Sequence, residues 1–283
     1  MKSLQKTLLW VLSVLTVCMV ALAACLWRAV DVNPNRLVTT TLQLKSDKIP
    51  KDMQDVSIVY FTDLEYGPFE NQERAQRVFD RINALNPSVV IYGGDLFEKN
   101  YEPSPEDVQQ MSQWLSSIPA PLGKFAVWGE QDLASDERLA LVSQIYGDAQ
   151  IEVLDNTNQL LCNRSGAGIR LVGLSPQADY DQALAGLSAA QYTLLVSHYT
   201  DPFVSDALSN AAVDQALGGN SHGTQITWPV FGGTREWKGS TEINRASSRK
   251  TPFPYYISSG TGCVDVNARL NATPEVVYIL LSS

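Results

Sequence analysis

Five short apolar runs in this chain each end in polar, ligand-capable residues, and this constrains the fold more than any other feature of the sequence. The runs at 56–61, 89–92, 124–128, 192–196 and 213–217 are four to six residues long and rich in aliphatic and aromatic side chains. That is the pattern of buried strands. They lead into Thr62-Asp63-Leu64-Glu65, Gly93-Gly94-Asp95, Gly129-Glu130-Gln131-Asp132, Ser197-His198 and Gly218-Gly219-Asn220-Ser221-His222-Gly223. In α/β sheets ligands bind at the carboxyl edge of the strands, and glycine there lets the backbone turn sharply. The two histidines of the 283-residue chain, His198 and His222, both belong to this set, which excludes a site built mainly from imidazoles.

Helical spacing separates the early runs. Ala75, Val78, Phe79, Ile82 and Leu85 share one face of a segment at 73–85. The segment 104–115 opens with Ser104 as N-cap and Pro105 at the first helical position. A third, 135–146, carries Leu139, Val142 and Ile145. Further strands fall at 169–174, 255–258 and 276–281. The mixture predicts a layered α/β domain, a four-layer α/β/β/α sandwich of two mixed sheets flanked by helices, over residues 54–283. Residues 31–53, polar and bracketed by Pro34 and Pro50, read as a tether with an edge strand at 37–44.

Residues 1–30 form a membrane anchor. From Thr7 to Trp27 there is no charge, and as a helix this stretch spans roughly 30 Å, the thickness of a bilayer's hydrocarbon core. Trp10 and Trp27 sit near its ends as interfacial anchors, and Lys2 and Lys6 precede it, which places the later domain on the extracytoplasmic side of a single-pass protein. Two alternatives share these features: a cleaved signal peptide, and a lipoprotein anchored at Cys25 through the lipobox-like Leu22-Ala23-Ala24-Cys25. A net charge of −9 argues against a nucleic-acid partner. Four cysteines spread over the chain exclude a small disulfide scaffold, although Cys162 and Cys263 could pair outside the cytoplasm. Asn163 and Asn271 are formal glycosylation acceptors, read as chance sequons. Arg245, Arg249 and Lys250 read as a solvated basic loop, and Asp201 as a brace for the turn after His198.

In order, the strand-end motifs resemble those of the calcineurin-like metallophosphoesterases, in particular the membrane-anchored bacterial type. Flanking residues agree from about 56 to 281: Asn83-Ala-Leu-Asn-Pro87, Ser197-His-Tyr-Thr-Asp-Pro202, Gly223-Thr-Gln-Ile226 with Trp228-Pro229, and Gly260-Thr-Gly262, Arg269 and Pro274-Glu275. The resemblance implies two metal sets, one of Asp63, Glu65, Asp95 and His222, the other of Asp95, Glu130, His198 and Asn220. Gln131 and Asp132 take the catalytic positions. Glu65 and Asn220 stand where the family has histidine, Glu130 where it has asparagine, and Gln131 where it has the proton-donating histidine. All the changed ligand positions hold oxygen donors, which favours divalent Mn, Mg or Ca over Zn. The implied function is hydrolysis of phosphate mono- or diesters, of lipid head groups or nucleotides, by two-metal activation of water. The alternative is a pseudoenzyme, a membrane-attached binding or scaffold module; a weaker third reading is a metal- or phosphate-sensing surface module.

Overall fold

The computed structural model describes residues 2–228, 232–245 and 249–283. Helix α1 (Lys2–Trp27) continues without a break through a wider π turn, Arg28–Val32. Strand β1 (Val38–Lys45) follows, then β2 (Ser57–Phe61), α2 (Gln72–Leu85), β3 (Val89–Tyr92), α3 (Pro105–Ser117), β4 (Lys124–Ala126), α4 (Asp136–Asp148) and β5 (Ile151–Val153). The second half holds β6 (Thr157–Cys162), β7 (Gly168–Leu174), the one-turn α5 (Tyr180–Ala183), β8 (Thr193–Ser197), α6 (Asp206–Ser209) and β9 (Gln215–Gly218). A small hairpin of β10 (Thr227–Trp228) and β11 (Gly232–Gly233), then β12 (Tyr255–Ile257) and β13 (Glu275–Ser282), complete it. Pro229, the last residue of one flanking motif, lies outside the described residues.

Two mixed sheets result, in the orders β1-β13-β2-β3-β4-β5 and β12-β9-β8-β7-β6. Strands β2 to β5 run parallel, as do β7, β8, β9 and β12. Alternation along each strand builds the layers. Val59 and Phe61 of β2, with Val90 and Tyr92 of β3, face α2, α3 and α4. Ile58, Tyr60, Val89 and Ile91 face the other sheet, where they meet Leu171, Leu194, Val196 and Leu217. The far side of the second sheet packs Val172, Leu195 and Ala216 under Phe203 and Leu208. Three core clusters between four layers are the α/β/β/α sandwich that the sequence predicts.

Ser104 caps α3 in a reciprocal box with Asp107. The edge strand expected at 37–44 is β1, which pairs in parallel with β13 over eight positions and forms the edge of the first sheet. All four cysteines are free. Because β2, β3 and β4 neighbour one another in one sheet, and β8 and β9 in the other, their carboxyl ends gather on one edge of the sandwich.

Phe79 is fully buried and stacks on Trp114 with ring centroids 5.2 Å apart. Phe79→Ala should lower the unfolding free energy by about 3–5 kcal/mol, read from urea denaturation at unchanged slope.

Candidate metal centre

Beyond β2 and β3 the two chains stay hydrogen-bonded, Asp63 N–H to Gly94 O at 2.9 Å and Glu65 N–H to Asp95 O at 3.1 Å. This carries Asp63, Glu65 and Asp95 side by side into the edge of the sandwich. Glu130 arrives from the end of β4, His198 from β8 and His222 from β9. His198 Nε2 lies 3.1 Å from Glu130 Oε2, 3.2 Å from Asp95 Oδ2 and 3.9 Å from Asp63 Oδ1. His222 Nε2 lies 3.5 Å from both Asp63 Oδ1 and Glu65 Oε1. Two groups therefore have ligand atoms within 4.8 Å of one another, Asp63–Asp95–His198 and Asp63–Glu65–His222. They share Asp63, where the resemblance makes Asp95 the common member.

Backbone strain concentrates here. Asp63, Glu65, Asp95, Asn220 and His222 all have positive φ, five of the thirteen described non-glycine residues that do. Each such residue costs on the order of 1 kcal/mol or more and persists only where its surroundings enforce it.

Those surroundings are specific. Asp132, grouped with the catalytic positions in the sequence, is fully buried and spends its carboxylate on three backbone N–H groups: Asp95 at 2.9 Å, Leu96 at 3.0 Å and Gly129 at 2.9 Å. It braces the loop that presents Asp95. Gly129 must be glycine, since a Cβ there would stand 1.9 Å from Asp95 Oδ1. Gln131 donates its backbone N–H to Asp95 Oδ1 at 2.8 Å, and its side chain lies 3.3 Å from Glu130. Asn220, implied as a ligand, turns its side-chain amide to Lys238 O at 2.7 Å and Ser240 Oγ at 2.9 Å. Its backbone N–H reaches the site instead, at 3.0 Å from Asp63 Oδ1. The structure thus brings together the side chains of Asp63, Glu65, Asp95, Glu130, His198 and His222, and holds the seventh candidate by its main chain.

Each imidazole is fixed from behind. His198 Nδ1 bonds Gly93 O at 2.7 Å, which aims Nε2 at the carboxylates. His222 is stacked on Trp237, with centroids 4.7 Å apart, and backed by the fully buried Arg269. That guanidinium donates to His222 O at 2.9 Å, Ser259 O at 2.7 Å, Ala272 O at 3.3 Å and Gly262 O, and lies 3.3 Å from His222 Nδ1. Arg269 is in turn gripped by the end of the amino-terminal apolar helix. Its N–H donates to Ala29 O at 2.8 Å, and its carbonyl accepts from Asn33 Nδ2 at 2.8 Å. The sequence gives Arg269 only as part of a terminal motif. The basic loop is partly tied down, Arg245 to Glu275 and Arg249 to Glu242. Asp201, read as a brace within the turn after His198, instead ties that turn to a distant loop, accepting from the backbone of Thr241, Glu242 and Ile243. A cleft of about 940 Å³ between α3 and α4, lined by Gln109, Ser112, Leu141 and Gln144, carries none of the site residues.

Burial of so much acid raises its proton affinity. Asp63 is pushed up to about 6 and Asp95 to about 7, desolvation being the main cause in both, and Glu65 rises well above the ordinary range by burial and the repulsion of Asp95 and Asp63. Burial alone would lower His198, but Asp95, Glu130 and Asp63 raise it well above normal. Burial would raise Glu130, yet the adjoining His198 holds it below the usual value. Burial, then the Arg269 and His198 charges, drive His222 well below its usual value, so this ring is neutral. A neutral imidazole and carboxylates are the forms that coordinate metals.

No protein-family model matches the chain. A Bacillus subtilis (strain 168) protein named as an uncharacterized metallophosphoesterase, YkuE, is 23% identical over 256 residues, covering 89% of this chain and 88% of its own. The UDP-2,3-diacylglucosamine pyrophosphatase LpxG of Chlamydia trachomatis (serovar D) is 24% identical over 251 residues, 72% of this chain and 75% of that one. In sequence the chain is similar to several proteins named metallophosphoesterases. A solved dimetal phosphatase of Danio rerio aligns over 60% of this chain and 82% of its own at 11% identity, with a TM-score of 0.36, a likeness too distant to carry weight.

The raised carboxylates set a pH dependence. In the unfolded chain they ionise near pH 4, whereas in the folded chain Asp63 and Asp95 keep protons until about pH 6 and about pH 7. The folded state then binds more protons across that window, so stability falls as pH rises through it. His222 works in the opposite sense, but one ring is outnumbered by three carboxylates. Melting temperature in EDTA should therefore drop between pH 5 and pH 7.5, and the drop should shrink in Asp95→Asn. Stabilisation by added Mn²⁺ should grow over the same interval, since the cation competes with those protons.

Proposed function

We propose that this chain is a divergent, metal-dependent phosphoesterase that hydrolyses phosphate mono- or diesters. One observation carries the reading: Glu65 Oε2, Glu130 Oε2 and His198 Nε2 are buried polar atoms without an aligned hydrogen-bond partner, and all belong to one cluster. Left so, Glu65 Oε2 costs about 1–3 kcal/mol, while His198 Nε2 and Glu130 Oε2 have only their own ion pair and Asp95 to compensate them; cations coordinated by these atoms would satisfy all three. Asp63, Glu65 and His222 would hold one ion; Asp63, Asp95, Glu130 and His198 would hold the other. Four carboxylates against two imidazoles favour the harder Mn²⁺ or Mg²⁺ over Zn²⁺.

Ions held there would supply Lewis acidity, an activated water and neutralisation of the phosphoryl oxygens. The chain's own residues do the rest. His198 and His222 stay aimed by Gly93 and Arg269, and Asp132 keeps Asp95 in register. Gln131 donates a hydrogen bond to a phosphoryl oxygen but cannot pass a proton to the leaving group, so about 10²–10⁴-fold of general-acid assistance is missing. The enzyme is therefore weak towards esters with poor leaving groups. Its domain stands outside the cytoplasm, because Lys2 and Lys6 keep the amino terminus inside. The commitment of Asn220 to Lys238 and Ser240 favours the second reading, a pseudoenzyme that binds cations without turnover.

Full-length protein in detergent should bind about one to two equivalents of Mn²⁺ and hydrolyse bis-p-nitrophenyl phosphate. Asp95→Asn should cut turnover at least about 100-fold, and Gln131→His should raise it on esters with poor leaving groups. Metal uptake with no hydrolysis would leave the pseudoenzyme, and no metal uptake would refute both.

A further inference from the structure

The anchor does not swing free of the domain. Its apolar helix runs from Ser3 to Val32, 30 residues, or roughly 45 Å, against a hydrocarbon core of roughly 30 Å. With Thr7 to Trp27 in the core, the turn at Arg28–Val32 lies at head-group depth. That turn is where Ala29, itself buried, and Asn33 grip both sides of Arg269. The loop 264–270 is therefore held at the membrane end of the helix.

Exposed apolar side chains collect at the same place. Apart from α1 and its π turn, the described residues leave three large apolar side chains exposed: Leu160 at 39%, Trp228 at 38% and Val266 at 48%. Val266 lies in the gripped loop. Trp228 lies on β10, whose Thr227 donates to Leu270 O at 2.9 Å and accepts from Asn271 Nδ2 at 2.8 Å. Tryptophan is the residue that membrane interfaces favour.

This patch is continuous with the candidate centre. Moving outward from His222, its ring stacks on Trp237, and Arg235 sits 4.0 Å from the Trp237 ring. Arg235 and Lys99 then share Asp265, each at 2.5 Å, and Val266 follows in the chain. Two cations on one carboxylate leave a positive edge suited to a phosphate head group.

We propose that Trp228 and Val266 rest in the head-group layer of the membrane that α1 crosses, so that the His222 side of the centre faces the lipid surface and draws a lipid-borne phosphoester from it. The substrate half of this statement rests on the phosphoesterase reading; the membrane contact does not.

Two measurements separate them. Trp228→p-benzoylphenylalanine, Val266→p-benzoylphenylalanine and, as control, Leu160→p-benzoylphenylalanine are placed singly in the full chain. Each is reconstituted in phosphatidylglycerol–phosphatidylethanolamine vesicles and irradiated, and lipid adducts are counted by mass spectrometry. Adducts at 228 and 266 should exceed those at 160 by about tenfold; equal yields at the three positions overturn the membrane contact. Val266→Asp is then assayed with Mn²⁺ on two p-nitrophenyl phosphodiesters, the methyl ester in water and the diacylglyceryl ester in phosphatidylcholine vesicles. Its kcat/KM should fall about tenfold on the lipid ester and hold on the methyl ester. Equal loss on both, or wild-type turnover of the methyl ester alone, overturns the lipid substrate. Failure of the wild type on both esters refutes the phosphoesterase reading, and the adduct yields still decide the membrane contact.

Discussion

Asp63 is the point on which the site turns. Its carboxylate is fully buried, takes the Asn220 N–H from the second sheet's loop, and belongs to both groups of ligand-capable atoms. Gly219 and Gly260 are packed so closely on it that a Cβ at Gly219 would come within 2.6 Å of Oδ2, and one at Gly260 within 2.7 Å of its Cβ. A buried negative charge of this kind is tolerated only with protons, hydrogen bonds or cations to compensate it. Asp63 has one backbone donor, two imidazoles at ion-pair range and three further acids around it. The protein thus concentrates charge where charge is most costly, and it fixes that arrangement through a strained backbone that no simpler packing would require.

The architecture was legible because its signals are local. Each residue of β3 alternates between the helix-facing core and the inter-sheet core, and Val89-Val-Ile-Tyr92 is apolar on both faces, so the run reads as a buried strand from composition alone. Strands β5 and β6 were not legible. Ile151-Glu-Val153 is too short to show a period, and Thr157–Cys162 is a half-exposed edge whose Asn and Gln resemble a loop. The edge strand expected at 37–44 is β1, legible from its alternation although only Leu44 is buried; its parallel pairing with β13 is not, since the partner lies at the far end of the sequence.

The site was legible in part. Position in the motif frame was enough to group Asp63, Glu65, Asp95, Glu130, His198 and His222, since each follows directly on a strand whose neighbours are fixed by the fold. It was not enough to assign roles. Asp132 and Asn220 sit in the same motifs, but whether a side chain faces the cavity or the loop behind it depends on φ, ψ and on partners far off in the chain. Asn220 is drawn aside by Ser240, twenty positions later, and Asp132 by Asp95, thirty-seven earlier. Trp237 and Arg269 carry no motif that marks them as neighbours of His222.

Arg269 also ties the amino-terminal apolar helix to the centre. A buried guanidinium needs several acceptors to offset its desolvation, and this one finds them in the carbonyls of His222, Ser259, Gly262 and Ala272. Those four residues come from the two loops that flank Asp63 and His222. Holding the Arg269 peptide from outside, through Ala29 and Asn33, therefore restrains both loops at once. A flexible linker in place of this helix end would exert no such restraint. The short, helical connection makes the end of the amino-terminal apolar helix a part of the scaffold that keeps His222 in place.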